Sequence, residues 1–258
     1  MGGQIEKIAE LIVDSRRVVV FVGAGLSTES GIHDFRSPGG VWDRYDPQEF
    51  DFQRFLESEA SRERYWQMAT EMYESMKDAE PNSAHLAIAE LEHLGKLDCL
   101  ITQNIDGLHF KAGHSPDKVL ELHGTAMHVT CLNCRKRFNR DSIQIRIAGG
   151  DKAPRCDACR GLLKPATISF GQSMPVAETQ AAYRHSAACD LFIVIGSSLV
   201  VQPAAQMPVV AKQNGAKLVI INRDETPCDP IADHVVNAQA SPTMAAVIVR
   251  VRTMLANM

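Results

Sequence analysis

The sequence predicts an α/β protein built on a doubly wound parallel sheet. Three observations predict it. Short apolar runs rich in β-branched residues, such as Val18–Val22 and Leu191–Ile195, show no alternation, as strands buried on both faces do. Segments of helical period separate them. Four of the runs stop in small or polar residues: Gly23-Ala24-Gly25, Gln103-Asn104, Gly196-Ser197-Ser198 and Asn222. In such a sheet the carboxyl ends of the strands share one edge, where ligands bind.

The elements follow in order. Residues 4–15 place Ile5, Ile8, Leu11 and Ile12 at amphipathic helical spacing. Val18–Val22 is a buried strand, and the glycines after it let the chain turn tightly and bring backbone N–H groups to a phosphate. Ser27, Thr28 and Ser30 add hydroxyls. Residues 37–46, with Pro38, Gly39 and Gly40, read as a loop. Residues 47–79 read as two or three helices outside the strand–helix rhythm. A helix over 82–94 starts at a cap on Asn82 or Ser83. Leu97–Thr102 is the second buried strand, and 119–122 leads into His123-Gly124. Leu191–Ile195 and 218–221 are the third and fourth buried strands; 233–236 is weaker, and a helix follows over 244–255.

Composition sets bounds. The chain has 258 residues, 45% hydrophobic and 22% charged, enough for one large core or two unequal lobes. A net charge of −4 and a pI near 6.1 give no polyelectrolyte reason to bind nucleic acid. No apolar run reaches membrane-spanning length, and the first residues lack a signal-peptide layout. Met1-Gly2 opens as a myristoylation site does, but position 6 is Glu, and the modification is set aside. Cys99, Cys189 and Cys228 sit in or beside apolar segments and read as buried thiols of a reducing, cytoplasmic compartment.

Cys131, Cys134, Cys156 and Cys159 form two C-x-x-C knuckles with 21 residues between them, at positions 135–155. That spacing suits a structural four-thiolate zinc site; two disulfides are the alternative, which a reducing compartment disfavours. Arg135, Lys136, Arg137 and Arg140 beside the first knuckle read as a solvated face. The glycine run does not complete a dehydrogenase fingerprint, because position 28 is Thr and Asp43 lies in no strand. His109, His114 and His128 read as structural, and Met68, Met72 and Met76 as the buried stripe of a helix.

The segments GAGLSTESGIHDFRS, TQNIDGLH, ELHGT, two C-x-x-C pairs, FGQSMP, GSSLVVQP and IINRDETP stand in one order. In this the chain closely resembles the sirtuins, NAD-dependent protein-lysine deacylases. The resemblance implies a Rossmann-type large domain over 1–38, 78–126 and 163–258. It implies a small domain made of a helical module over 39–77 and a zinc module over 127–162. It implies acyl-lysine proteins as substrates, NAD and one structural Zn2+. It implies nicotinamide, free lysine and O-acyl-ADP-ribose as products. Mono-ADP-ribosyl transfer or NAD hydrolysis on the same fold is the alternative. A non-enzymatic zinc-ribbon binding module and a hydride-transfer enzyme are the more distant readings.

Residue roles follow from the same resemblance. Gly23, Ala24, Gly25 and Ser27 hold the diphosphate. Gln103 and Asn104 contact the ribose, with Asn104 ordering a water, Asp106 hydrogen-bonds the nicotinamide carboxamide, and Ile105 belongs to the same NAD-binding set. Phe35 covers the site, and Asp34 and Arg36 fix its loop. Gly196, Ser197, Ser198, Asn222, Arg223 and Ala240 hold the adenosine end. His123 is the base that takes a ribose hydroxyl proton. The peptide adds as a strand between Phe170-Gly171 and Val200-Val201. Two departures stand out. His33 occupies a usual Pro position, and Gln172 follows Phe170-Gly171 where Glu is common.

Sirtuins that take succinyl or malonyl groups carry Tyr-x-x-Arg on the small-domain helix, and the matching positions here are Ala69 and Met72. No Arg or Lys occurs between Tyr65 and Met76, so this helix predicts neutral acyl groups against Met72.

Overall fold

The computed structural model describes Gly2–Met258; Met1, half of the myristoylation-like opening, lies outside the described residues. The strands are β1 (Val18–Val22), β2 (Leu97–Thr102), β3 (Val119–Glu121), β4 (Gly124–Cys131), β5 (Arg137–Asn139), β6 (Leu163–Thr167), β7 (Leu191–Ile195), β8 (Lys217–Ile221) and β9 (His234–Val236). The helices are α1 (Gly2–Asp14), α2 (Val41–Arg44), α3 (Phe52–Glu57), α4 (Glu59–Met76), α5 (Ser83–His93), α6 (Leu108–Lys111), α7 (Arg140–Ala148), α8 (Val176–Ala188), α9 (Met207–Gln213) and α10 (Ala240–Ala256).

Six strands pair in parallel in the order β3-β2-β1-β7-β8-β9. The order reverses between β1 and β7, the switch point that opens a crevice at the strand ends of a doubly wound sheet. The apolar runs are continuous because both faces are covered. Val18, Val20 and Val22 pack on Ile8 and Ile12 of α1, Ile88 and Leu91 of α5, and Val247 and Val251 of α10. Val19 and Phe21 face Ala182 of α8 and Met207 and Ala211 of α9. Burying each large apolar side chain contributes about 1.5–3 kcal/mol, which holds β1 at the centre.

β4, β5 and β6 form a separate antiparallel sheet in the order β5-β4-β6. It takes in residues on both sides of 127–162, because β4 and β6 run from the cysteine knuckles back to the large sheet. Trp66 of α4, 1% exposed, shares a core with Val129, Cys131, Ile143, Cys156 and Leu163, so the helical segment and the cysteine module pack as one body.

Two elements differ from the sequence expectation. The loop over 37–46 contains the short helix α2, because Val41 and Trp42 pack on Phe35 and Phe50 and their N–H groups donate to Asp34 O (3.1 Å) and Phe35 O (3.0 Å). The last helix starts at Ala240 rather than 244, because Glu29 Oε1, distant in sequence, accepts from Ser241 N at 2.9 Å.

Candidate active site

The floor of the site is the junction of two strand ends. A Cβ on Gly23 or Gly25 would lie 2.8 Å from Gly196 O, and one on Gly196, whose φ is +63°, would lie 2.3 Å from Leu26 N. The glycines therefore let the β1 and β7 loops touch each other. Their amides serve that packing too, since Gly23 N donates to Ile195 O at 3.1 Å and Gly25 N to Gly196 O at 2.8 Å. This corrects the expectation that both glycine amides are free for a phosphate. The amides of Ala24, Ser197 and Ser198 are the ones that donate to no acceptor among the described residues.

Behind this floor lies a closed polar network. Asp106 accepts from Ser27 Oγ at 2.7 Å and from Leu108 N at 2.9 Å, so both carboxylate oxygens are engaged. Ser27 and Asp106 stand off the main cavity wall; Asp106 instead faces a small cavity of about 10 Å³ with His85, His109 and His114. Asn104 joins the two sides. Its Nδ2 donates to Gly23 O and Ser27 Oγ, both at 3.1 Å, and the residue lines both the main and the small cavity.

His123 follows β3 and is placed by the β2 turn. Its Nδ1 lies 3.1 Å from Gln103 O. A carbonyl only accepts, so Nδ1 carries the proton and Nε2 is a free acceptor. Gln103 is itself fixed, its Oε1 accepting from Ser197 Oγ at 2.8 Å. Burial lowers the His123 pKa below the usual imidazole value, the Gln103 carbonyl partly opposes this, and Arg36 adds to the lowering.

The roof is the loop after the first strand. Asp34 accepts from Ser37 N (2.7 Å), Ser37 Oγ (2.6 Å) and Arg36 N (3.0 Å). Burial pulls its pKa up, but these bonds outweigh it and hold the carboxyl below the usual range. Arg223 Nη2 donates to Ser37 Oγ at 3.1 Å and clasps the loop to the end of β8. Phe35 packs on Trp42 (5.3 Å between centroids), and Trp42 on Phe170 (6.1 Å). Gln172 closes the turn after β6, since its Oε1 accepts from Ser169 N at 3.2 Å. His33 is exposed and off the cavity wall.

Floor and roof enclose a cavity of about 830 Å³. Gly23, Ala24, Gly25, Asp34, Phe35, Arg36, Gln103, Asn104, Ile105 and His123 line it, with Gly196, Ser197, Ser198, Asn222, Arg223 and Ala240. Phe170, Gly171, Val200, Val201 and Met72 line it as well. The amides of Gly171 and Val200 donate to no acceptor among the described residues.

Sequence reasoning missed part of the wall. Glu29, Trp42 and Gln239 line the cavity, and so does Arg140. Arg140 is not on the solvated face expected for it; it is 1% exposed, while Arg135, Lys136 and Arg137 are exposed. It opens α7, where a cation opposes the helix dipole. That mismatch is the one sequence signal that sets it apart from its neighbours.

The four knuckle cysteines converge as well. Their sulfurs lie within 4.8 Å of one another, with Cys131–Cys159 at 3.5 Å and Cys134–Cys156 at 3.7 Å. A disulfide needs about 2.05 Å. A tetrahedron of sulfurs at about 2.3 Å from zinc has edges of about 3.8 Å, so the donor set fits a four-thiolate zinc ion. The other three cysteines are buried and free, as expected.

Known proteins are similar over most of the chain. The Sir2 family model matches residues 23–203. An NAD-dependent protein deacetylase 1 of Bradyrhizobium diazoefficiens is 45% identical over 240 residues, 93% of each chain. An NAD-dependent protein deacetylase of Rhodopseudomonas palustris is 43% identical, over 95% of this chain and 96% of that one. A solved structure of a Sir2 with deacetylated p53 peptide and 3′-O-acetyl ADP ribose superposes with a TM-score of 0.89. It is 37% identical and covers 95% of this chain and 98% of that one. With a family match over most of its length and relatives above 40% identity over more than nine-tenths of it, the chain belongs to the Sir2 family.

Proposed function

We propose that the chain is an NAD-dependent protein-lysine deacetylase. Acyl-lysine, NAD and water give free lysine, nicotinamide and O-acyl-ADP-ribose. The observation that carries this reading is His123. It is half-buried and oriented by Gln103 O, its pKa is lowered in favour of the neutral ring, and Nε2 is free on the wall of the cavity that also holds the strand-end loops. A base so placed accepts a ribose hydroxyl proton.

The other residues take roles that the geometry supports. The unpaired amides of Ala24, Ser197 and Ser198 suit a diphosphate. Gly23, Gly25, Ser27 and Asp106 act through the loop they lock. Asn104, on the cavity wall, contacts the ribose. Phe35, stacked on Trp42, keeps water from the reacting carbon, while Asp34, Arg36 and Arg223 hold that lid down. Asn222, Arg223 and Ala240 face the adenosine end. The peptide adds as a strand between Gly171 and Val200, whose amides are free to pair with it. The four thiolates would hold zinc, which supplies structure and no chemistry. The buried thiols of Cys99, Cys189 and Cys228, outside that cluster, fit a reducing compartment such as the cytoplasm.

Mass spectrometry of an acetyl-lysine peptide incubated with NAD tests the reading. Free-lysine peptide with equimolar O-acetyl-ADP-ribose is expected. ADP-ribosylated protein, or free ADP-ribose with the peptide unchanged, would overturn it in favour of transfer or hydrolysis.

A further inference from the structure

The acyl end of the cavity holds a cation that helix α4 does not supply. Arg140 reaches it from α7. Asn139 caps that helix, accepting from Asp141 N at 2.7 Å, and Tyr73 OH donates to Asp141 Oδ1 at 2.6 Å. These bonds fix the first turn of α7 along the Ala69–Tyr73 side of α4. The Arg140 guanidinium lies between two rings, 5.0 Å from Trp66 and 4.8 Å from Tyr73. Its Nη2 donates to Ala69 O at 3.0 Å. Its Nη1 is buried and donates to nothing among the described residues.

No carboxylate lies within ion-pair distance of Arg140 among the described residues. Asp141 is engaged by Tyr73, and Glu74 by Lys77. A second buried cation flanks the same region. Lys164, 1% exposed, donates to Thr167 O at 2.6 Å and lies 5.1 Å from the Tyr65 ring. The Tyr65 hydroxyl meets Thr167 Oγ1 at 3.1 Å and Ser169 Oγ at 3.3 Å, and all three residues line the cavity. Lys164 also lacks a carboxylate partner among the described residues.

Buried charges are ordinarily paired, because an unpaired one costs several kcal/mol of lost hydration. The cost at Arg140 is compounded by its place at a helix N-terminus. A carboxylate entering the cavity between Ala69 and Met72 offsets both, and a guanidinium receives it through two parallel hydrogen bonds. We propose that Arg140 makes the acyl end of this cavity a carboxylate-binding subsite, so that acyl groups ending in a carboxylate, of the succinyl type, are substrates alongside acetyl. This rests on the deacylase reading above. The reaction is unchanged, since the distal carboxylate forms no bond and only anchors the chain. The cation comes from a segment about seventy residues away from the helix that predicts neutral groups, which is why the helix alone does not reveal it.

The test uses peptides alike except for the acyl group on lysine: acetyl, succinyl, and succinamyl, the neutral amide isostere of succinyl. Two quantities are measured, kcat/KM with NAD by mass spectrometry and peptide affinity without NAD by fluorescence anisotropy. The wild-type protein should favour succinyl over succinamyl by about tenfold or more in both. Arg140→Met, which keeps the bulk and removes the charge, should bring that ratio to about one, while Arg140→Lys should retain part of it. Equal or weaker use of succinyl than succinamyl by the wild type would overturn the subsite, and the wild-type pair decides even if the Met variant does not fold. A ratio unchanged in a folded Arg140→Met protein would overturn it equally. Failure of all acyl peptides to turn over, with the succinyl preference intact in binding, would strike the deacylase reading and leave the subsite standing.

Discussion

On the proposed mechanism, the surroundings of His123 set both its tautomer and its charge. The Gln103 carbonyl fixes the proton on Nδ1, and burial and Arg36 disfavour a second proton. The sign of the pH dependence follows. If the neutral ring is the active form, its lowered pKa puts the midpoint of the acid limb below the ordinary imidazole value of about 6.5, and activity falls as pH drops through that midpoint. A kcat/KM profile whose acid limb has its midpoint above about 6.5 would contradict this. His123→Ala should lower kcat/KM for an acetyl peptide by about a hundredfold or more while the far-ultraviolet spectrum and zinc content stay those of wild type. Turnover within a few-fold of wild type would remove His123 from the mechanism. The sequence placed His123 at a strand end, but its tautomer depends on Gln103, twenty residues away and just past the end of β2.

Among the elements, α5 shows how a local signal acquires a distant purpose. Asn82 caps it by accepting from Ala84 N and His85 N, as its composition and position predict. The same side chain donates to Leu26 O at 2.8 Å and Ser30 Oγ at 3.0 Å, which ties the helix start to the loop after β1. Asn82→Ala loses the cap and both bonds and should destabilise the fold by about 2–3 kcal/mol in chemical denaturation. NAD affinity should weaken with it, because the loop loses its anchor. A loss below about 0.5 kcal/mol would show that the cap is dispensable. β1 and β7 make the complementary case, in which glycines legible as a turn turn out to be required by the approach of one loop to the other.

At the scale of the molecule, the cysteine module and the helical segment stand or fall together. Trp66 shares a core with Cys131 and Cys156, so loss of the zinc that the four thiolates would hold should loosen α4 and with it the Tyr65, Met68 and Met72 wall of the cavity. Strong chelation should abolish deacylation and shift tryptophan emission to the red, while the β-sheet of the large domain keeps its signal. Full activity in protein verified as zinc-free would refute the coupling. Trp66 and the cysteines lie more than sixty residues apart, and nothing in either segment announces the other.

The sequence by itself determined the parallel sheet, its strands, the ligand edge and the four-cysteine cluster. Each is written in a local pattern: continuous β-branched runs, polar residues at their ends, and fixed C-x-x-C spacing. Tertiary structure alone decided what those patterns are for. It used up the glycine amides at the β1–β7 junction and left those of Ala24, Ser197 and Ser198 free. It moved Ser27 and Asp106 behind the wall, started α10 on Glu29, and buried Arg140 against Ala69 on the cavity wall. The reason is the same in each case. A hydrogen-bond partner or a neighbouring ring supplied by a remote segment sets the state of the group, and periodicity along the chain carries no record of it.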